Sequence, residues 1–424
     1  MNKKSLLIVF IISGLLLSAL VKINGKLLLL AIPFLVYLIV GIIQAPNELS
    51  LLAHRSLDKP SVLPQEAVET RILIQNQGNT LVNLRLEDTL FPSMTTLEEQ
   101  PYQRVALAAG EVTELRYKFT ATRGVYSWKT IHACASDPFG LFEVECDLPA
   151  SGNILVRPAP LQIQPVTFKP RATLPTSGPI SARRAGTGTD FWGIREYRPG
   201  DSLRRINWNL AARHPHKLFS NDYEREEIGD FGLILDARRL TNAQALEEAL
   251  FEYSVSAVAT LAKNFLRNGN RVSLLVFGEV VLTAFPGYGK GQLDLLLWNL
   301  ARANLGGSLP FTSLEHFPTK LFPTRSLLVI FSTVDARDQE AYARLRAFGY
   351  EVLLISPDPV DFTAQRLPQT QTNALASRAA RVERVIQLKH LLKLGVKVID
   401  WQVSQPLEPL VRKLARQLTH TRNI

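Results

Sequence analysis

The sequence predicts a transmembrane helical hairpin, then a small immunoglobulin-like β-sandwich, then an α/β domain built on a doubly wound parallel sheet. Three observations carry this. Two uncharged apolar runs open the chain, apolar residues alternate with polar ones through the next stretch, and from Asp230 onward Val/Ile/Leu strands alternate with helix-period segments.

The hairpin occupies residues 1–46. Its runs, 5–21 and 27–43, hold no charge, and each lies near the short end of the roughly 17–25 residues that span a bilayer as a helix. Only Lys22-Ile-Asn-Gly-Lys26 separates them, and its Asn-Gly pair suits a tight reversal. With 46% hydrophobic and 20% charged residues the chain is richer in apolar side chains than its soluble part needs, and the excess sits here. Lys3 and Lys4 before the first run would also suit a cleaved leader, but no small-x-small site follows and a second apolar run begins at once. A hairpin leaves both chain ends on one side. Lys3, Lys4, Arg55 and Lys59 against Lys22 and Lys26 assign that side to the cytoplasm, so the expectation is a multi-pass cell-membrane protein with cytoplasmic soluble domains.

Residues 58–157 carry period-2 patterns: Val68, Ile72 and Ile74; Val82, Leu84 and Leu86; Leu115, Tyr117 and Phe119. Polar turns at Asn76-Gln-Gly-Asn79 and Ala108-Ala-Gly-Glu111 separate them, which predicts the sandwich. No catalytic cluster falls in it. Cys134 and Cys146 flank Asp137-Pro-Phe-Gly140, a placement that allows them to face each other across a hairpin and to form a disulfide in an extracytoplasmic domain; free, buried thiols fit the cytoplasmic topology better. The proline-rich stretch 158–182 reads as an extended connector. Residues 230–424 hold the α/β domain: FGLILD ending at Asp236, a helical run over 242–266, RVSLLVF, LDLLLWNLARA, SLLVIFS, EAYARLRAF, EVLLIS, RVERVIQLKHLLKL, VKVID and a last amphipathic helix. Ligands of such sheets bind at the carboxyl ends of the strands, which points to Asp236, to Ser332 with Thr333 and Asp335, and to Ser356 with Asp358.

Between connector and sheet lies a dense segment, 183–229. From Ser181 to Lys217 it sets eight basic residues against Asp190, Glu196 and Asp201, a patch able to meet an acidic protein surface, a phosphate or an anionic headgroup. The same arginines could instead pair with Glu224, Glu226 and Glu227. Pro199-Gly200 makes a turn, and Asp201 or Ser202 can cap a short helix with Leu203, Ile206 and Leu210 on one face and Arg204, Arg205 and Arg213 on the others.

The run GTGTDFWGIREYRPGDSLRRINWNLAAR resembles the defining motif of the bacterial domain of unknown function 58 family: Gly186, Gly188, Phe191, Arg195, Glu196, Tyr197, Gly200, Asp201, Arg204, Arg205, Ile206, Trp208, Ala212 and Arg213 all fit, as do Asp137-Pro-Phe-Gly-Leu141 and LGVKVIDW. The resemblance implies a von Willebrand factor type A-like domain behind a sandwich and a membrane hairpin. It also implies work beside an AAA+ ATPase of the MoxR class in assembly or chaperoning, with no member-wide enzymatic activity. Type A domains often hold a divalent metal through Asp-x-Ser-x-Ser after the first strand. Here that stretch is Asp236-Ala-Arg238-Arg239-Leu240, so both serines are lost and an arginine beside the ion position repels a cation. No Mg²⁺ or other cofactor is therefore expected at the degenerate site of Asp236, Ser332 and Asp335. Either Arg238 or Arg239 folds over Asp236 as a fixed positive charge, or both are solvated while Thr241 and Gln244 form a capping box.

Other chemistries lack their residues. Gly186-x-Gly188 has Phe191 in place of the third glycine of a dinucleotide fingerprint, and Gly291 follows Gly289-Lys290 where a phosphate loop needs Ser or Thr. His214-Pro-His216 has no partner at metal-ligand spacing, and no Gly-x-Ser-x-Gly elbow exists. Nucleic-acid binding would rest on charge alone, because the signature aromatics fall at apolar positions expected to be buried. The expectation is a non-enzymatic membrane-anchored interaction protein; the alternative is an α/β hydrolase or nucleotide-binding enzyme using Asp236 and Asp335.

Overall fold

The two apolar runs become α1 (Lys3–Lys22) and α2 (Gly25–Ile43), both long and apolar enough to cross a membrane. Large side chains such as Phe10, Leu20 and Ile43 stay exposed along them. The computed structural model describes residues 3–23, 25–46, 48–164, 166, 180–214, 216–239, 247–278, 280–306, 321–324, 326–368 and 370–420, with the side chains of 3, 180–190, 192, 224–227, 247–249, 414 and 416–420 outside the description. The chain divides into two compact units, Met1–Arg157 and Pro158–Ile424.

In the first unit, alternation produces two facing sheets. One runs β1 (Leu51–Leu57), β3 (Val68–Asn76), β7 (Val112–Ala121), β5 (Met94–Glu98) in spatial order. The other runs β2 (Ser61–Val62), β9 (Glu143–Val156), β8 (Gly124–Ser136), β4 (Leu81–Glu87), β6 (Tyr102–Leu107). The first strand thus starts at Leu51, ahead of the expected 58. Val68, Ile72, Ile74, Leu84, Leu86, Leu115, Tyr117 and Phe119 join one core. Val82 does not: the β4–β6 register shifts between Leu81 and Leu84, so Leu81 turns inward and Val82 is exposed. Buried Arg55 clamps Asp88, whose carboxylate also accepts from the Tyr117 hydroxyl at 2.6 Å.

Cys134 lies opposite Glu145 and Cys146 opposite Ala133, so the two thiols project from opposite faces of the sheet and cannot bond. Both are free and half-buried, which corrects the picture of facing or fully buried thiols. The turn between them is built by Asp137, whose Oδ1 accepts from the amides of Leu141 at 2.6 Å and Phe142 at 2.7 Å. It sits on α2: the Phe139 ring lies 4.2 Å from that of Tyr37, and a Cβ on Gly41 would stand 3.0 Å from Leu141.

The second unit opens with an antiparallel ribbon of β10 (Ile180–Glu196) and β11 (Phe219–Glu227), with the short α3 (Trp208–Arg213) in the loop between them. The ribbon reaches into the stretch expected to be connector. Next come β12 (Asp230–Asp236), α4 (Glu247–Arg267), β13 (Arg271–Phe277), β14 (Leu282–Gly287), α5 (Gly289–Arg302), β15 (Leu327–Phe331) and α6 (Gln339–Ala347). The unit closes with β16 (Glu351–Pro357), α7 (Pro359–Ala364), α8 (Gln371–Lys393), β17 (Lys397–Trp401) and α9 (Leu407–His420).

These strands form one six-stranded sheet in the order β14-β13-β12-β15-β16-β17. It is mixed, which corrects the all-parallel expectation. The four residues between β13 and β14 are too few for a crossover, so β14 returns antiparallel at the edge. Alternate residues face two separate cores. Leu233, Leu235, Leu274 and Val276 meet α4 and α5 on one face, while Ile234, Leu275 and Leu354 meet Tyr342 of α6 and Leu391 of α8 on the other.

Candidate functional site

Strand order reverses between β12 and β15, the position at whose carboxyl ends open α/β sheets bind ligands. Backbone pairing runs on past β12: Ala237 N donates to Phe277 O at 2.8 Å, Gly306 N to Ala237 O at 3.0 Å and Arg239 N to Gly306 O at 3.0 Å. This extended path aims the next side chain back over the strand end. Arg238 Nε and Nη2 each donate to the Asp236 carboxylate at 2.8 Å, and Arg238 N adds a third bond to its Oδ1 at 3.1 Å. The same guanidinium donates to Asp338 at 3.0 and 2.6 Å, and the Ser332 hydroxyl donates to Asp236 Oδ2 at 2.7 Å. Asp236, Arg238, Ser332 and Asp338 are all buried.

The fixed-charge expectation is met by Arg238, while Arg239 is exposed; Thr241 and Gln244 lie outside the described residues. Burial works against the charge of Arg238, but Asp236 and Asp338 outweigh it and push its pKa up. Burial also raises the Asp338 carboxyl above its usual range, with Arg238 pulling the other way. A divalent ion needs several oxygen ligands and cannot share this position with a guanidinium, so the residues present do not fit a metal. Asp335 faces elsewhere: it bonds Arg337 at 2.9 and 3.0 Å, which lowers its pKa, and caps the turn Ala336–Asp338. Between Ser332 and Asp335, Val334 holds φ at 71°, a left-handed conformation that strains a β-branched residue.

A second buried arginine closes the adjoining strand ends. Arg384 of α8 donates to Asp400 Oδ1 at 2.6 Å, to Ser356 Oγ at 3.1 Å and to the carbonyls of Thr333, Ser356 and Pro357. Asp358 caps α7 through the amides of Val360 and Asp361. Neither Asp338 nor Arg384 was picked out from sequence. Both sit on helical segments whose charges look solvated until the strand order is known.

The signature forms a separate surface of the same unit. Arg195 grips Asp201 at 2.7 Å through both Nη atoms and reaches Asp222 at 3.1 Å, so this arginine braces the ribbon. Hydrogen bonding from Arg195, then from the Arg198 amide at 2.9 Å, lowers the Asp201 pKa to about 2. That locks the turn over Pro199 and Gly200, the latter at φ 105°. Glu196 pairs with Lys217, Tyr197 O–H reaches Asp201 O at 3.4 Å, and the Arg205 guanidinium lies 5.7 Å from the Tyr223 ring. Gly186 and Gly188 lie where β10 jumps register, Gly186 and Phe191 both pairing with Tyr223. The side chains of Glu224, Glu226 and Glu227 lie outside the described residues.

Two expectations fail here. The single short helix is broken into a 3₁₀ turn, Leu203–Arg205, and α3, because Asp201 is taken by Arg195 while Ile206 pairs with Ser220 and Asn207 becomes the cap. Among the aromatics with described side chains, none is buried. Phe191 is 60% exposed, Trp208 65% and neighbouring Leu203 68%, beside exposed Arg204 and Arg213.

Among solved structures, the CARDB domain of a Pyrococcus furiosus protein is 17% identical, with 26% of this chain and 88% of that one covered and a TM-score of 0.19. The PapD-like domain of human CEP192 is 12% identical over 24% and 85% of the two chains, TM-score 0.17. Proximal thread matrix protein 1 of the mussel byssus is 13% identical over 45% and 47%, TM-score 0.27. No curated protein matches the chain. With the signature on the ribbon and its arginines placed, residues 193–383 match the family described as protein of unknown function DUF58, which supports that family for this chain.

Proposed function

We propose that this is a membrane-anchored docking protein without enzymatic activity of its own: the helical hairpin anchors it in the cell membrane, and the second unit, read as a von Willebrand factor type A-like domain, recruits an AAA+ ATPase of the MoxR class on the cytoplasmic side. The observation that carries the docking reading is the exposed signature face. Leu203 and Trp208 stand out into solvent among Arg204 and Arg213, whereas Arg195 is spent on internal bracing. Exposed tryptophan and arginine are the side chains that most often dominate protein interfaces. What supports a non-enzymatic reading is the hold of Arg238 on Asp236, since a carboxylate held at both oxygens by a guanidinium is a poor general base.

The test is recovery of neighbouring AAA+ ATPases on the immobilised full-length protein in detergent. Arg204→Glu with Arg213→Glu, and separately Trp208→Ala, are expected to reduce recovery at least about tenfold, the loss of one interface anchor. Unchanged recovery with both variants would refute the docking face. Turnover of a nucleotide or ester substrate that disappears in Asp236→Asn would favour the enzyme reading instead.

A further inference from the structure

We infer that the Arg238 guanidinium is the resident cation of a site whose oxygens, without it, form a divalent-metal pocket, so that the strand end at Asp236 is fixed by a side chain and not by a ligand. This goes beyond the docking reading and does not depend on it.

The geometry converges on one atom. Arg238 Nη2 stands 2.8 Å from Asp236 Oδ2 and 2.6 Å from Asp338 Oδ2, and Ser332 Oγ stands 2.7 Å from the first of these oxygens. Two carboxylates and a hydroxyl, all buried, are a hard-oxygen set of the kind that holds Mg²⁺ or Mn²⁺. They arrive from three places in the chain: the end of β12, the end of β15 and the turn before α6. What occupies their meeting point is a charge that cannot dissociate or be chelated. The wild-type protein should therefore ignore divalent ions, and shortening residue 238 should create a need for them, because two buried carboxylates lose the guanidinium they share.

The experiment uses the full-length chain in detergent with Mn²⁺ as probe, reading free Mn²⁺ by electron paramagnetic resonance and the melting temperature of the second unit. Wild type is expected to bind no Mn²⁺ at millimolar concentration and to melt identically with a chelator. Arg238→Ala is expected to bind Mn²⁺ and to gain about 5 °C in melting temperature at saturating ion. Arg238→Ala with Asp236→Ala is expected to lose both effects. Should Arg238→Ala not fold, Arg238→Ala with Asp338→Asn, which buries one charge fewer, must fold and bind Mn²⁺ more weakly. Wild-type binding that is lost in Asp236→Ala overturns the inference, and so does a folded Arg238→Ala that ignores Mn²⁺, or failure of both Arg238 variants to fold or to bind.

Discussion

Arg238 and Asp338, 100 residues apart in sequence, are joined by two hydrogen bonds of 3.0 and 2.6 Å. The bond ties the end of the first central strand to the turn that starts α6. Removing the arginine takes the shared guanidinium from two buried carboxylates, whereas Asp338→Asn removes a charge that burial already disfavours. Arg238→Ala in metal-free buffer should cost about 3–5 kcal/mol. Asp338→Asn should cost less, about 1–3 kcal/mol. Native-state hydrogen exchange of the β12 amides measures both, and the reverse order would show that the guanidinium is not the tie.

Gly232 is required for close packing. A Cβ there would meet Phe322 Cδ1 at 2.5 Å and Leu328 Cδ2 at 2.6 Å, both in the core. Gly232→Ala should destabilise the second unit by about 1–3 kcal/mol, the usual cost of overpacking. Calorimetry of Gly232→Ala, alone and with Phe322→Leu, checks it: the second change should restore part of the loss.

The turn over Pro199 and Gly200 should be acid-stable to an unusual degree. The Asp201 pKa is depressed to about 2 in the fold, so its contribution is present above the ordinary carboxylate range and is lost only as pH falls through about 2. Carbon-13 titration of the Asp201 carboxyl should give that midpoint. Arg195→Gln should move it back toward the unperturbed value near about 3.9.

Both thiols should alkylate slowly. Burial, followed by Glu143 and Glu145, raises the Cys134 pKa, while burial and then Asp147 raise that of Cys146. A raised thiol pKa leaves less thiolate at neutral pH. Iodoacetamide labelling at pH 8 should thus lag an unfolded cysteine peptide and catch up as pH rises. Mass spectrometry of the non-reduced protein should find no Cys134–Cys146 link.

Much of the architecture could be read from periodicity, because period-2 patterns in the sandwich and two-faced apolar strands in the sheet are strong local signals. The fold of Arg238 over Asp236 was one of the readings the sequence held open, since Arg238 takes the first serine position of the metal motif and so puts a cation beside Asp236. Asp338 was not: its role depends on a turn that sends Asp335 to Arg337 and Asp338 inward. Val82 and the 3₁₀ turn failed for a related reason. A register shift and a competing partner for Asp201 are decided by pairing across the chain, which no window of sequence contains.

The turn built on Asp137 has a mechanical consequence. Tyr37 precedes the end of α2 by six residues, so the tilted ring of Phe139 packs on it about 9 Å along the helix from that end. In the proposed membrane-anchored state the sandwich is bolted to its anchor at a second point, away from the chain connection near Ala45. It does not swivel freely on a tether, and torque applied to it passes into the bilayer through a pair of packed rings.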